Sequence, residues 1–416
     1  MKLLSKTHLR RSATLLLTWI LLISCSLLPL QAESATITAG APADQAGASV
    51  TPVPENTATS GPYSLAISNS YPFWPKYIMG RSLAATPGKV WMGMASGMLV
   101  EVDPESGSFG ESVNLSGGEN TIAVMKLALE GSYLWAYGWL FEFNINNIAT
   151  SGPPSGAPAT HPHLSAIDPD SLTVVRQWDM DSHEWLGNKE RLHLPEDFGI
   201  SPGKIWIDGH VIDTQTFEVT PDVPMPGMTS FAYNGKDWMW MTGENGGNCN
   251  DMLLVGAADP ANDHWCKSHW PFLTRTEGGV VTGPGSQLVL AGDRMWIAGG
   301  LSETASSAPI HTLSAYWANM DQAMQETGPL ASVPLLVIPS EVELLFAGNT
   351  LWVAYTGGEK MGFLYQLDPQ TGATINSLDL IGDQGRSIGD IPTSMASEGD
   401  NLWILTARQL LRIKLP

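Results

Sequence analysis

The sequence predicts an all-β fold, a seven-bladed β-propeller with six or eight blades as the neighbouring possibilities, its ring closed by an N-terminal strand. Three observations predict it. A Trp-bearing segment recurs seven times, an Asp-containing turn follows most of its copies, and residues 63 to 416 divide into units of about 51 residues, the length of a four-stranded blade. Composition agrees. Among 416 residues, 42 Gly and 29 Pro punctuate the chain, 43% are hydrophobic and only 15% charged, which suits one large repetitive domain and excludes disorder for most of it.

The Trp segments are Gly88-Lys89-Val90-Trp91-Met92, Ser132-Tyr133-Leu134-Trp135-Ala136, Gly203-Lys204-Ile205-Trp206-Ile207, Asp237-Trp238-Met239-Trp240-Met241, Asp293-Arg294-Met295-Trp296-Ile297, Asn349-Thr350-Leu351-Trp352-Val353 and Asn401-Leu402-Trp403-Ile404. Successive Trp residues are 44, 71, 34, 56, 56 and 51 positions apart, with a mean of 52. Each segment reads as a turn residue entering a buried strand. The second motif is Val102-Asp103-Pro104-Glu105-Ser106-Gly107, Ile167-Asp168-Pro169-Asp170-Ser171, Ile212-Asp213-Thr214-Gln215-Thr216 and Leu367-Asp368-Pro369-Gln370-Thr371-Gly372, with a weaker Asp259-Pro260 in the fourth unit. In such a turn Asp accepts from nearby backbone amides, Pro presets φ and Gly takes a positive φ. Apolar residues flank it on both sides, so it is the tip of a hairpin.

Each unit then holds four strands, which in the sixth are Val342 to Ala347, Leu351 to Tyr355, Gly362 to Leu367 and Ala373 to Leu378. After Trp403 only Gln409 to Leu415 remains, one strand too few. Ser64 to Ser70 has strand composition and precedes the first unit, so it is expected to complete the last blade and remove an open edge.

These segments resemble the superfamily of exported propellers that includes the surface-layer-type, quinoprotein-like and streptogramin-lyase-like families, which pair a Trp strand with an Asp-Pro-x-Thr-Gly-like turn. The resemblance covers nearly all of residues 63 to 416 and implies architecture rather than activity. A lyase of that kind requires a metal-supported His and Glu pair that no motif here matches, and quinone-binding residues are not identifiable.

The N-terminus carries an address. Lys2, Lys6, Arg10 and Arg11 precede the apolar stretch Ala13 to Leu22, the layout of an export signal. Leu22-Ile23-Ser24-Cys25 resembles the lipobox of bacterial lipoproteins, which implies lipidation at Cys25 and a protein tethered at the cell envelope or cell surface. Cleavage after Leu30-Gln31-Ala32 and an uncleaved anchor over residues 13 to 32 remain the alternatives. Three regions follow: an export signal over 1–25, a flexible Ala/Thr/Pro-rich linker over 26–62, and the propeller over 63–416. The linker would span roughly 30 Å as a coil.

The chain has 21 Lys and Arg against 41 Asp and Glu, a formal charge of −20. Four of the basic residues lie in the signal, so the exported part is more acidic still. Nucleic acid is excluded as a partner, since its phosphates demand a cationic surface. Neutral or cationic proteins, peptides or carbohydrates fit better, presented to a monomeric head. Of three cysteines, Cys249 and Cys266 remain after the signal and are expected to form a disulfide; its loop of 17 residues contributes about 3 kcal/mol in the chain-entropy view.

In this blade order the first-to-second and third-to-fourth turns share one face. The insertions Asn144 to His163, Asp179 to Pro195, Gly243 to Asp251 and Gly299 to His311 fall on the other, where long loops point to function. The binding-face candidates are His161, His163, His183, Trp185, Glu244, Asn245, Asp251 and His311. His161-Pro162-His163 offers two imidazoles but no third ligand and sits beside a Pro-rich, loop-like run. His183, Glu184, Trp185, Glu190, Arg191 and His193 make the densest polar and aromatic cluster, which reads equally as a short surface helix. No cofactor is expected; the oxygen donors from Glu244 to Asp251 leave calcium as the one alternative, without EF-hand order. Catalytic signatures such as Gly-x-Ser-x-Gly or His-Glu-x-x-His do not occur. A binding module is the leading reading, and a lyase or hydrolase at the channel mouth is the competing one.

Overall fold

The computed structural model describes residues 65–73, 80–116, 121–141, 160–186, 198–207, 209–221, 228–235, 238–242, 256–257, 287–301, 310–319, 322, 329–335, 342–357, 361–381 and 391–415. The chain divides into two units, 1–59 and 60–416, and every described residue lies in the second. Cys25, the linker, Glu244, Asn245, Asp251 and the cysteine pair Cys249 and Cys266 lie outside the described residues.

A first strand, β1 (Ile67–Pro72), precedes the repeats. The first sheet is β2 (Gly80–Thr86), β3 (Lys89–Met94), β4 (Met98–Val102) and β5 (Phe109–Asn114). The second is β6 (Thr121–Glu130), β7 (Tyr133–Phe141), β8 (Thr160–Ile167) and β9 (Val174–Asp179), followed by one helical turn, α1 (His183–Leu186). The third is β10 (Gly199–Ser201), β11 (Lys204–Ile207), β12 (His210–Asp213) and β13 (Val219–Thr220). The fourth has three strands, β14 (Met228–Tyr233), β15 (Trp238–Thr242) and β16 (Gly256–Ala257). The fifth is β17 (Leu288–Ala291), β18 (Arg294–Leu301), β19 (Ile310–Trp317) and β20 (Ala331–Pro334). The sixth is β21 (Val342–Ala347), β22 (Thr350–Tyr355), β23 (Phe363–Leu367) and β24 (Thr374–Asp379). The last joins β25 (Pro392–Glu398), β26 (Asn401–Thr406) and β27 (Gln409–Lys414) to β1.

All pairings are antiparallel between neighbours in sequence, except that β1 pairs with β27, Ser70 opposite Leu411 and Tyr71 opposite Leu410. The first strands of successive sheets touch: β2 meets β6 and β25, β14 meets β10 and β17, and β21 meets β17 and β25. This is an all-β propeller. Among the described residues six four-stranded blades are complete, which corrects the expected seven. The fourth unit has three strands among the described residues, and the segment around Asp259-Pro260, where its turn and outer strand were expected, lies outside them.

The repeated Trp residues are the core. Trp91, Trp135, Trp206, Trp296, Trp352 and Trp403 are each at most 1% exposed. Four of their indole N–H groups find acceptors: Trp135 on the Glu130 carbonyl, Trp352 on the Ala347 carbonyl, Trp206 on Ser201 Oγ and Trp296 on the Pro369 carbonyl. That last bond crosses to the next blade and shows what the Asp turn does.

In each of the four turns Asp Oδ1 accepts the amides two and three residues on: Asp103 from Glu105 and Ser106, Asp168 from Asp170 and Ser171, Asp213 from Gln215 and Thr216, Asp368 from Gln370 and Thr371. Amides donating to the charged form hold the Asp103, Asp168 and Asp213 carboxyls below their ordinary range. At Asp368 desolvation opposes this and the Thr371 hydroxyl and amides outweigh it. The fifth turn residue has positive φ, at Gly107 and Gly372 and also at Leu172 (φ 50) and Phe217 (φ 58). A Cβ at Gly372 would lie 2.8 Å from the Trp296 ring. Units two and three place a side chain there instead, at a backbone cost of about 1–2 kcal/mol. Leu172 packs in one cluster with Trp91, and the Phe217 ring lies 6.1 Å from Trp135 and 5.9 Å from Trp178. The turn of each such unit therefore covers the Trp of the unit before it.

Two further clamps join blades. One side chain on the first strand reaches the backbone of the next blade's entry: Lys126 to the Phe198 carbonyl, Ser230 Oγ from Leu288 N–H, Gln287 Oε1 from Leu344 N–H and Ser394 Oγ from Leu83 N–H. At the turn, Glu130 accepts from Gly203 N–H at 2.7 Å and Glu398 from Gly88 N–H at 3.3 Å. These polar contacts specify blade order, whereas the apolar clusters supply most of the stability.

Candidate functional site

The two ends of the blades carry different connections. At one end lie the first-to-second turns and the third-to-fourth connections, tight at the four Asp turns just described and longer over 318–330 between β19 and β20. At the other, the second-to-third connections pass through 142–159, 243–255 and 302–309, and a blade crossing through 187–197, all outside the described residues. What is described is how these connections leave the sheets.

The expected loop at His161-Pro162-His163 is strand. Residues 160–163 extend β8 along β7, with His161 opposite Leu140, Pro162 opposite Trp139 and His163 opposite Gly138. The Pro-rich composition ahead of them suggested a loop; Pro162 cannot donate to the ladder, but its carbonyl accepts from Met180 N–H. His161 Nδ1 lies 2.8 Å from Asp181 Oδ2, which ties the start of β8 to the turn after β9. Asp181 N–H donates to Asp179 Oδ1, and Ser182 caps α1 by accepting from Trp185 N–H.

His163 sits within this group, opposite Asp179 on β9. Both of its ring nitrogens are buried, and neither has a hydrogen-bond partner among the described residues. Such an unmatched buried polar group costs about 1–3 kcal/mol. Desolvation pulls the His163 pKa below the ordinary imidazole value, against Asp179 and Asp181, which raise it, while His161 adds to the lowering.

Trp185 is buried at 6% exposure, with its ring 4.2 Å from that of His210 on β12, and His210 Nε2 lies 3.0 Å from the Trp185 carbonyl. The indole therefore anchors the crossing from the second to the third blade. His183 occupies the first position of α1. His311 lies in β19 opposite Gly300, far from these in sequence, with Nδ1 buried and unpartnered among the described residues. The structure thus brings His161, His163 and Trp185 to neighbouring positions at the exits of the second blade. Among the described residues no three His, Cys, Asp or Glu are grouped to hold a metal ion.

Sequence reasoning missed a cleft of ≈ 630 Å³ at the opposite end, where β1 and β27 meet the turn of the first blade. Ser68, Asp103, Glu105, Glu398, Arg412 and Lys414 line it. Arg412 is committed to structure, donating to the Pro104 and Glu105 carbonyls and lying 5.7 Å from the Trp403 ring. No motif marks this cleft, because it arises only where β1 and β27, far apart in sequence, meet the first blade.

No protein-family model matches the chain, and no curated protein matches it. Solved structures do. The β-propeller domain of Cps50 (Swd1) from Myceliophteria thermophila superposes with TM-score 0.51 at 12% identity, covering 85% of this chain and 100% of that one. BamB from Moraxella catarrhalis gives 0.41 at 13% identity over 81% and 85%, and the computationally designed protein Ika8 gives 0.46 at 11% over 81% and 96%. At these identities the likeness is one of fold. Among the described residues no helix is long and apolar enough to cross a membrane.

Proposed function

We propose that this chain is an exported, lipid-tethered propeller that binds a neutral or cationic protein, peptide or carbohydrate through its long-loop end. In this reading Cys25 is the lipidated residue, residues 26–62 are the spacer, Cys249 and Cys266 form a disulfide within the loops, and β1 closes the ring of a monomeric head. One observation supports the binding end above all: every described Asp turn is a tight, self-bonded hairpin tip, whereas the opposite end carries all the long second-to-third connections. Much of the length not needed for the blades is spent on that surface, with the connection 318–330 between β19 and β20 the exception at the turn end. The acidic excess steers a cationic partner toward it and repels anionic polymers.

The test is site-specific photo-crosslinking in the cells that make the protein. A photoreactive residue placed at Thr150, Asn248 or Ser306 is expected to give discrete adducts, and one placed at Ser106, Asp170 or Gln370 none. Adducts from the turn end alone, or from neither end, would overturn the reading.

A further inference from the structure

One small group of side chains ties the start of β8 to the turn after β9 and seats α1 on β12. Residues 142–159 end at β8, whose His161 is paired with Asp181; four residues after Asp181, Trp185 is seated on His210 and residues 187–197 begin. His163 lies inside this group. The titratable or charged groups facing it are His161 on its own strand, Asp179 at the end of β9 and Asp181 in the following turn; its neighbour on β7, Gly138, carries none. Both His163 nitrogens are buried without partners among the described residues, so burial favours the neutral ring over the charged one. A second proton would place a cation beside His161 with no acceptor bonded to it.

We propose that His163 is an acid-sensitive latch: on protonation its ring must reach water, which frees the end of β8 from β9 and loosens the bases of both long connections. The idea deepens the long-loop reading by giving that surface a control, and rests on it for biological meaning, though not for its test. The sign follows from the two states. In the open state the imidazole titrates near its ordinary 6.5, and in the closed state lower, because burial disfavours the charge. Closure is therefore fully favoured above about pH 6.5 and weakens as pH falls from there toward the closed-state value, since the open state binds more protons. Each unit separating the two values weakens closure about tenfold.

Hydrogen exchange on the whole purified protein without a partner tests this. After correction for intrinsic exchange rates, protection of amides in residues 160–186 is expected to fall at least fivefold between pH 7.5 and 5.0, with β22 and β26 unchanged. His163→Leu and His163→Gln should abolish that fall, and His161→Asn should retain it. A flat wild-type profile would overturn the latch, as would a fall that persists in both His163 variants or disappears in His161→Asn. Because no partner enters the experiment, its failure leaves the crosslinking test of the binding surface intact.

Discussion

Removing residues 61–73 is expected to lower the stability of the propeller by on the order of 5 kcal/mol or more, the loss of two buried large side chains alone. Those side chains are Leu65 and Phe73, which belong to two different core clusters, one shared with the sixth blade and one with the first. Ile67 packs on the former and Tyr71 on the latter. Deletion also strips β27 of its partner from Gln409 to Ile413 and exposes a sheet edge between blades. Since domains of this kind are stable by about 5–15 kcal/mol in total, the truncated protein should unfold at least roughly 10 °C lower or aggregate. Thermal unfolding measures it, and a peptide of residues 61–73 added in trans should restore part of the loss by strand addition. Unchanged melting would show that β1 does not close the ring.

Trp352→Ala is the second large effect, a loss of about 3–5 kcal/mol. The Trp352 ring is fully buried among Leu364, Leu380, Met395 and Ile404, so it joins its own sheet to the last one. Its indole N–H on the Ala347 carbonyl closes the turn that starts β22. Truncation leaves a cavity and removes one of two side-chain hydrogen bonds to the Ala347 carbonyl, the other coming from the Thr350 hydroxyl. Trp352→Phe should recover more than half of the loss, because it refills most of the volume and forfeits only the hydrogen bond. Chemical denaturation gives both values, and an alanine variant within about 1 kcal/mol of wild type would place Trp352 outside the core it defines.

How far the sequence carried depends on what each feature needs. The sixth unit was legible almost residue by residue: strands expected at Val342 to Ala347 and Ala373 to Leu378 occur at Val342–Ala347 and Thr374–Asp379. Both the turn chemistry of Asp368 and the alternation around Trp352 are local, and local signals survive folding. The closing strand was displaced, Ile67–Pro72 instead of Ser64 to Ser70, because its register is set by β27, some 340 residues away. His161 and His163 read as loop because Gly and Pro crowd the residues before them, yet pairing with β7 overrode that composition. Trp185 sat in the most polar stretch of the chain and is buried, since one turn of helix aims it at His210. The isolation of the His163 nitrogens depends on which groups fold over it, and no spacing encodes that.

The Asp turns of the second, third and sixth blades lock onto the Trp of the preceding blade, and a double-mutant cycle between Trp135 and Phe217 tests this most directly. The two rings meet edge to face at 63° across the second and third blades, and the chain holds Phe217 at positive φ to make the contact. Stability of Trp135→Leu, Phe217→Leu and the double variant should show a coupling of about 0.5–1.5 kcal/mol, the range for buried aromatic pairs. Additivity within about 0.3 kcal/mol would contradict the interlock.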